Sequence, residues 1–371
     1  MSVQEKKPYL LGAIYLNPTD RCNLKCRHCW LSPASVHVME PEGKKNRTFT
    51  SGLSLEGVED VIRQARPLGL HTIKITGGEP FLRTDLLDFI ALFHRQGLSV
   101  DIETNGTLVD EKKAAALKRF EVRNISVSLD GHQAGTHDRI RGVEGAFEGA
   151  VRGIRHLRKQ GLGIQIILSL SRENRHEMQG VALLAESLGA QSMKINPVLP
   201  IGRGEVMHKT DHALSVGELI EVSLWVRERL QPGVKIPVYY GLPAAFQPFG
   251  AIMAGSCGSC AILNILGIVE NGDISFCGIE KVEGDLVMGN INRDRLDDLW
   301  ANHPILEEMR ASIPWRLEGI CGQCFLKKIC LGSCRACAYH LEKRLTAPYW
   351  FCQEAFEKGL FPETRYFQKA S

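Results

Sequence analysis

The stretch Cys22-Asn23-Leu24-Lys25-Cys26-Arg27-His28-Cys29 puts three thiols within eight positions, spaced by three residues and then by two. Such crowding suits a metal centre better than a disulfide staple. Three cysteines also leave such a centre incomplete. On a 4Fe–4S cube they leave one iron without a protein ligand, and that iron can take up a small molecule, so the site reads as reactive rather than structural. The same thiols also fit part of a zinc site, completed by His28 or by a distant ligand.

The chain around this loop alternates regularly. Residues 11–17 form an apolar run that Pro18 ends, short enough for a buried strand directly before the cysteines. From Ser54 onward, helical and strand patterns take turns. Helices are expected over 55–65, 84–95 with Thr84 as the cap, 111–119, 145–160 and 175–188. Strands are expected over 71–76, 98–104, 124–129, 164–170 and 192–196. Six strands separated by helices mean parallel βαβ units curled by right-handed crossovers. The fold class is therefore α/β, a partial (β/α)6 TIM-like barrel, with chemistry at the strand ends. Residues 30–52 are a polar insertion, either a lid or a solvated loop.

Turns after the strands carry the remaining candidates. Gly77-Gly78-Glu79-Pro80 follows the second strand, with two glycines that let a ligand approach the backbone. Asn105 follows the third strand, Ser128 and Asp130 end the fourth, and Arg141 lies shortly beyond. The C-x3-C-x2-C loop after a first strand, with His28 where an aromatic residue is usual, resembles the radical S-adenosylmethionine (SAM) enzymes. The resemblance implies that the open iron chelates SAM and that reductive cleavage yields a 5′-deoxyadenosyl radical. It also implies that Gly77–Pro80 receives SAM's amino group. Asn105, Ser128, Asp130 and Arg141 would contact the ribose or the carboxylate. The alternatives for Ser128 and Arg141 are a strand-end hydroxyl and a loop arginine paired with Asp138.

A second cysteine array begins near residue 257. Cys260 is followed by Gly272 and Cys277, then by Cys321-x2-Cys324-x5-Cys330-x3-Cys334 and Cys352. This pattern resembles the SPASM domain, a C-terminal module of many radical SAM enzymes, and Cys257 adds an eighth thiol. The resemblance implies one auxiliary 4Fe–4S cluster on Cys257, Cys260, Cys277 and Cys334. It implies another on Cys321, Cys324, Cys330 and Cys352, making three clusters in all. A zinc ion on Cys321, Cys324, Cys330 and Cys334 is the alternative. Residues 269–276 read as a hairpin with an Asn271-Gly272 turn that presents Cys277. Cys337 is left over. It is either a small buried hydrophobe, an alternative cluster ligand or a thiol hydrogen-atom donor.

Length and composition bound the rest. A chain of 371 residues, 44% hydrophobic and 23% charged, has room for two domains and a large core. The expected division is an arm over 1–12, a barrel over 13–214, a bridge over 215–255, a SPASM domain over 256–354 and a tail over 355–371. Tyr239, Tyr240 and Phe246 in the bridge belong either to a substrate channel or to the core. With no secretory segment and no apolar run of membrane length, the expected location is the cytoplasm, with no membrane contact. Twelve cysteines there are metal ligands rather than disulfides. The net charge of +3 counts thiols as neutral, and three clusters would bring it to about −2, so nothing points to nucleic acid.

The resemblance favours an oxidoreductase-type peptide maturase that crosslinks, oxidises or epimerises a ribosomally made peptide. It also implies a low-potential electron donor of the flavodoxin or ferredoxin type. Only about ten residues precede the first strand, so the resemblance places leader recognition in a separate protein, or nowhere. Gly278, where sulfatase-maturing enzymes carry an aspartate, weakens a formylglycine reading. The alternatives are a small-molecule substrate, such as a sugar or an amino-acid derivative, and a non-catalytic iron–sulfur electron carrier.

Overall fold

A computed structural model of the protein describes residues 9–31, 52–255, 260–278 and 284–367. Cys257 and almost all of the 30–52 insertion lie outside the described residues.

Ten strands form one sheet. They are β1 (Ala13–Leu16), β2 (Thr72–Ile75), β3 (Ser99–Thr104), β4 (Asn124–Ser128), β5 (Ile164–Leu170), β6 (Ser192–Pro197), β7 (Val238–Tyr240), β8 (Ile265–Ile268), β9 (Asp273–Ser275) and β10 (Gly289–Asn290). The order is β10-β9-β8-β1-β2-β3-β4-β5-β6-β7. Strands β1 to β7 run parallel in chain order, with β1 opposite β2 at Ala13↔Thr72 and β6 opposite β7 at Met193↔Val238. The first six are the expected (β/α)6 array. Strand β7 comes from the expected bridge. β8, parallel to β1 at Ala13↔Ile265, brings the cysteine-rich C-terminal part into the same sheet.

The helices follow from local chemistry. The first eight are α1 (Leu55–Ala65), α2 (Leu86–Arg95), α3 (Glu111–Arg119), α4 (Ala134–Arg141), α5 (Ala146–Lys159), α6 (Met178–Ser187), α7 (Arg203–Lys209) and α8 (Val216–Trp225). Ser54 caps α1 by accepting from the Gly57 amide at 3.0 Å, and Asp110 caps α3 through Lys113. Ser215 and Glu218 form a reciprocal capping box on α8. Buried positions of α1, α2 and α5 join those of β1 to β6 in one core. Strand β5 shows why, burying every second side chain from Ile164 to Leu170.

Three expectations change. Thr84 is not the cap of α2; Asp85 holds that position without capping by its side chain, because Arg83 takes its carboxylate at 2.6 Å. The 175–188 helix opens with a 3₁₀ turn, Arg175–Glu177. Arg141 lies in the last turn of α4, a short polar helix whose weak periodicity hid it, and not in a loop. The Asn271-Gly272 hairpin forms, with Gly272 at φ +88°, but it joins β9 to β8 and so belongs to the main sheet.

In the bridge, Phe246 packs edge-on against Phe351 and Phe361, and the Tyr240 hydroxyl donates to the Leu219 carbonyl. Tyr239 is exposed. The expected boundary at 354 falls inside the helix Trp350–Glu357, and Tyr366 pairs back to Cys324.

Candidate active site

A cleft of about 890 Å³ opens at the carboxyl ends of the strands. Its wall includes Thr76 beyond β2, Ser128 of β4 and Asn196 of β6. Strands β2 and β6 stand four places apart, which on a flat sheet is roughly 19 Å. Their sharing of one cleft records how far the sheet curls.

Cys22, Cys26 and Cys29 lie together on this wall. Their loop is held on two sides. Lys25 and Arg27 amides donate to the Arg141 and Ile140 carbonyls of α4, at 2.9 and 3.0 Å. On the other side the Arg203 amide donates to the Cys29 carbonyl at 2.9 Å. Leu24 tucks beneath with Ala146. Burial, reinforced by the nearby charges of Cys26 and Glu79, pushes the Cys22 thiol up to about 12. Burial likewise raises Cys26, although Arg141 opposes it. Ligating such thiols to a metal therefore releases protons.

The Gly77–Pro80 turn docks against the loop's other flank. Gly78 and Glu79 amides donate to the Thr19 and Arg21 carbonyls, at 2.9 and 2.7 Å. Gly77 sits at φ +113°, and a Cβ there would lie 2.7 Å from the Thr19 carbonyl oxygen. The Glu79 carboxylate is fully buried and already used. It accepts from Thr104 Oγ1 at 2.7 Å, the Asn105 amide at 2.8 Å and the Phe81 amide at 3.2 Å. Gly77, Gly78 and Glu79 line the cleft; Pro80 instead begins a buried 3₁₀ turn. The side chain of Asn105 donates to Asn23 Oδ1 at 2.9 Å and approaches Cys22 Sγ at 3.9 Å.

Behind the cysteines lies a buried charge pair. Arg141 Nε stands 2.7 Å from Asp130 Oδ2, while Nη1 reaches Cys26 Sγ at 3.5 Å. Asp130 therefore orients the arginine, and Asp138, the alternative partner, accepts from the Gly145 and Phe147 amides instead. His28 lines the cleft 3.7 Å from Asp130. Desolvation lowers it to about 4, so it is neutral at pH 7.

The second array gathers as four thiols round one cavity. Cys321, Cys324, Cys330 and Cys352 line a space of about 310 Å³ without Cys334, which argues against a zinc set that includes Cys334. The Tyr349 and Leu326 amides donate to Cys321 and Cys324 Sγ at 3.3 and 3.4 Å. Of the remaining described cysteines, Cys260 lies beside Arg335 and Cys334 precedes it in the chain. The Cys260 thiol accepts from the Arg335 amide, and its charge and that of Cys277 both bear on Tyr15 of β1. Arg335 is wholly buried, donating to the Leu345 and Ala347 carbonyls at 3.1 and 2.6 Å and to that of Gly332. Four thiols on a shared cavity, amide donors to sulfur and a buried cation fit 4Fe–4S ligation.

Cys337 is fully buried beside Cys334, whose Sγ accepts from its amide at 3.5 Å. It does not line the cleft, so the structure does not bring a thiol donor to that site. Gly278 is closed to side chains, since a Cβ would meet that of Tyr15 at 2.7 Å. Sequence reasoning missed Lys74, Lys194, Tyr15 and Arg203. They look like ordinary strand and loop residues, and only the curl of the sheet turns them toward one interior.

Comparison with known proteins agrees with this geometry. The Radical SAM superfamily profile matches residues 16–185, and that of the SPASM iron–sulfur cluster-binding domain matches residues 257–325. An AdoMet-dependent heme synthase of Nitratidesulfovibrio vulgaris is 30% identical over 341 residues, 87% of each chain. The mycofactocin maturase MftC of Mycobacterium ulcerans is 26% identical, covering 94% of this chain and 89% of its own. The structure of Streptococcus suis SuiB bound to S-adenosylmethionine superposes with a TM-score of 0.70 at 17% identity, covering 93% and 78%. The chain belongs to the radical SAM superfamily and carries a C-terminal SPASM iron–sulfur domain.

Proposed function

We propose that this radical SAM enzyme matures a peptide by abstracting hydrogen from it in the cleft between Cys22–Cys29 and the barrel interior. The observation that carries the reading is the cleft itself, which joins the three-cysteine loop to a wide interior. Among the relatives, the MftC proteins are named maturases and AlbA of Bacillus subtilis a bacteriocin biosynthesis protein. When bound, the clusters and SAM supply a 5′-deoxyadenosyl radical and a route for electrons.

The protein's own residues bind, orient and exclude water. Cys22, Cys26 and Cys29 hold the reactive cluster. Because the Glu79 carboxylate is engaged, the Gly77–Glu79 turn offers backbone carbonyls to SAM's ammonium, and Glu79 keeps the turn rigid. Asn105 and Ser128 face the ribose. Arg141, steered by Asp130, presents its remaining donors to the SAM carboxylate. The two SPASM sets hold the auxiliary clusters.

A second reading, a small molecule as substrate, is favoured by relatives named AdoMet-dependent heme synthase, 30% identical, and Fe-coproporphyrin III synthase. Anaerobic turnover of the reconstituted enzyme with SAM and dithionite separates the two. The peptide reading expects 5′-deoxyadenosine in step with a mass change on a short peptide encoded beside the enzyme. Turnover with iron coproporphyrin III and none with the peptide would reverse it. Iron analysis should find about twelve irons per chain, and Cys22, Cys26 and Cys29 replaced by alanine should leave about eight and no SAM cleavage.

A further inference from the structure

Lys194 leaves β6 on the same side as Asn196, which lines the cleft, and its register partner on β5 is Ile167, another cleft residue. It is half-buried, one layer below the mouth. An ion pair on the opposite wall of the barrel lies within electrostatic reach of it. Lys74 Nζ lies 2.6 Å from Glu103 Oε1 and 5.2 Å from the centre of the Tyr15 ring. Thr76 Oγ1 donates to the other Glu103 oxygen at 3.2 Å.

Glu103 is thus committed to Lys74. Lys194 feels the charges of both yet has no carboxylate partner among the described residues. Two ammonium groups and one carboxylate leave the layer with a net charge of +1. Burial and the repulsion of Lys74 hold Lys194 below the ordinary lysine range, against a weaker pull from Glu103. Arg203, also on the cleft wall, adds a guanidinium whose buried Nε has no hydrogen-bond partner among the described residues. A lysine kept for packing is ordinarily paired, as Lys74 is, because an unpaired buried charge is costly.

From this layer we infer that Lys194 determines specificity by receiving a carboxylate of the substrate, with Arg203 guiding the same acid past the cysteine loop. The inference rests on the proposal that the substrate reacts in this cleft, and adds its chemistry: an acidic substrate. The carboxylate belongs either to an acidic residue of a peptide or to a small organic acid.

The test uses the holoenzyme with SAM under anaerobic conditions and reads acylation of Lys194 by N-hydroxysuccinimidyl acetate through mass spectrometry. The paired Lys74 is the internal control. The probes are a glutamate-containing pentapeptide with its glutamine counterpart, and iron coproporphyrin III with its tetramethyl ester. At least one free acid should slow labelling of Lys194 while its neutral counterpart does not. Lys194→Met should weaken binding of that acid about tenfold or more, and Lys194→Arg should retain it. Iron content and circular dichroism confirm that both variants fold. Protection by the porphyrin alone would sustain the inference and overturn the peptide reading. No protection by either acid at millimolar concentration, or equal protection by the neutral forms, would overturn the inference itself.

Discussion

Glu79 shows how one buried carboxylate organises a site without touching its ligand. Three protein donors converge on it from the turns after β2 and β3. Replacing it by glutamine turns an N–H toward the Asn105 amide and leaves two donors facing each other. Glu79→Gln should cost about 1–3 kcal/mol of stability, read from urea midpoints, and weaken SAM binding.

His137 makes a pH prediction. Its Nδ1 accepts from the Asp130 amide at 3.0 Å, which requires the neutral ring. Desolvation, aided by Arg141, lowers it to about 4. The folded value lies below the unfolded 6.5, so the folded state binds fewer protons between these limits. Stability is full above pH 6.5 and falls toward pH 4, by up to about 1.4 kcal/mol per pH unit from this group. His137→Gln should flatten that slope in urea titrations at pH 7 and 5.

At the scale of elements, the reactive loop has no regular structure of its own. It borrows rigidity from α4, from the Gly202–Arg203 turn and from the Gly77–Pro80 turn. Gly78 is the closest approach, since a Cβ there would overlap the Arg21 carbonyl. Gly78→Ala must push the two turns apart. The expected outcome is a loss of about 1–3 kcal/mol and weaker SAM binding by equilibrium dialysis, with the SPASM irons retained.

The strand–turn–helix alternation was legible because β5 and α5 bury regular stripes. Helix α4 was not, because its residues are polar and its place is set by contacts with the cysteine loop. For the same reason Arg141 and Asp130 were each recognisable as candidates while their pairing was not.

Over the whole molecule, the two cysteine-bearing parts are not independent. Strand β8 covers the edge of β1, and Ile265 and Ile268 join the barrel core. A chain ended at residue 255 would expose β1 as a bare edge with Ile14 and Leu16 against it. Such a fragment should aggregate, or elute in the void volume on gel filtration, whereas the full chain stays dispersed. A dispersed, folded fragment would show that β8 is dispensable.

By itself, the sequence determined which cysteines group together as candidate metal ligands. Thiol spacing is local chemistry, and few alternatives satisfy eleven cysteines at once. It also determined the order of strands and helices, since burial stripes are written residue by residue. Only the tertiary structure decided that Glu79 faces inward, that Arg141 answers to Asp130, that Cys337 lies away from the cleft and that Lys194 has no carboxylate partner among the described residues inside the barrel. Those facts depend on strands far apart in the chain being brought within reach of one another. That nearness comes from the curl of the sheet, which no short window of sequence contains.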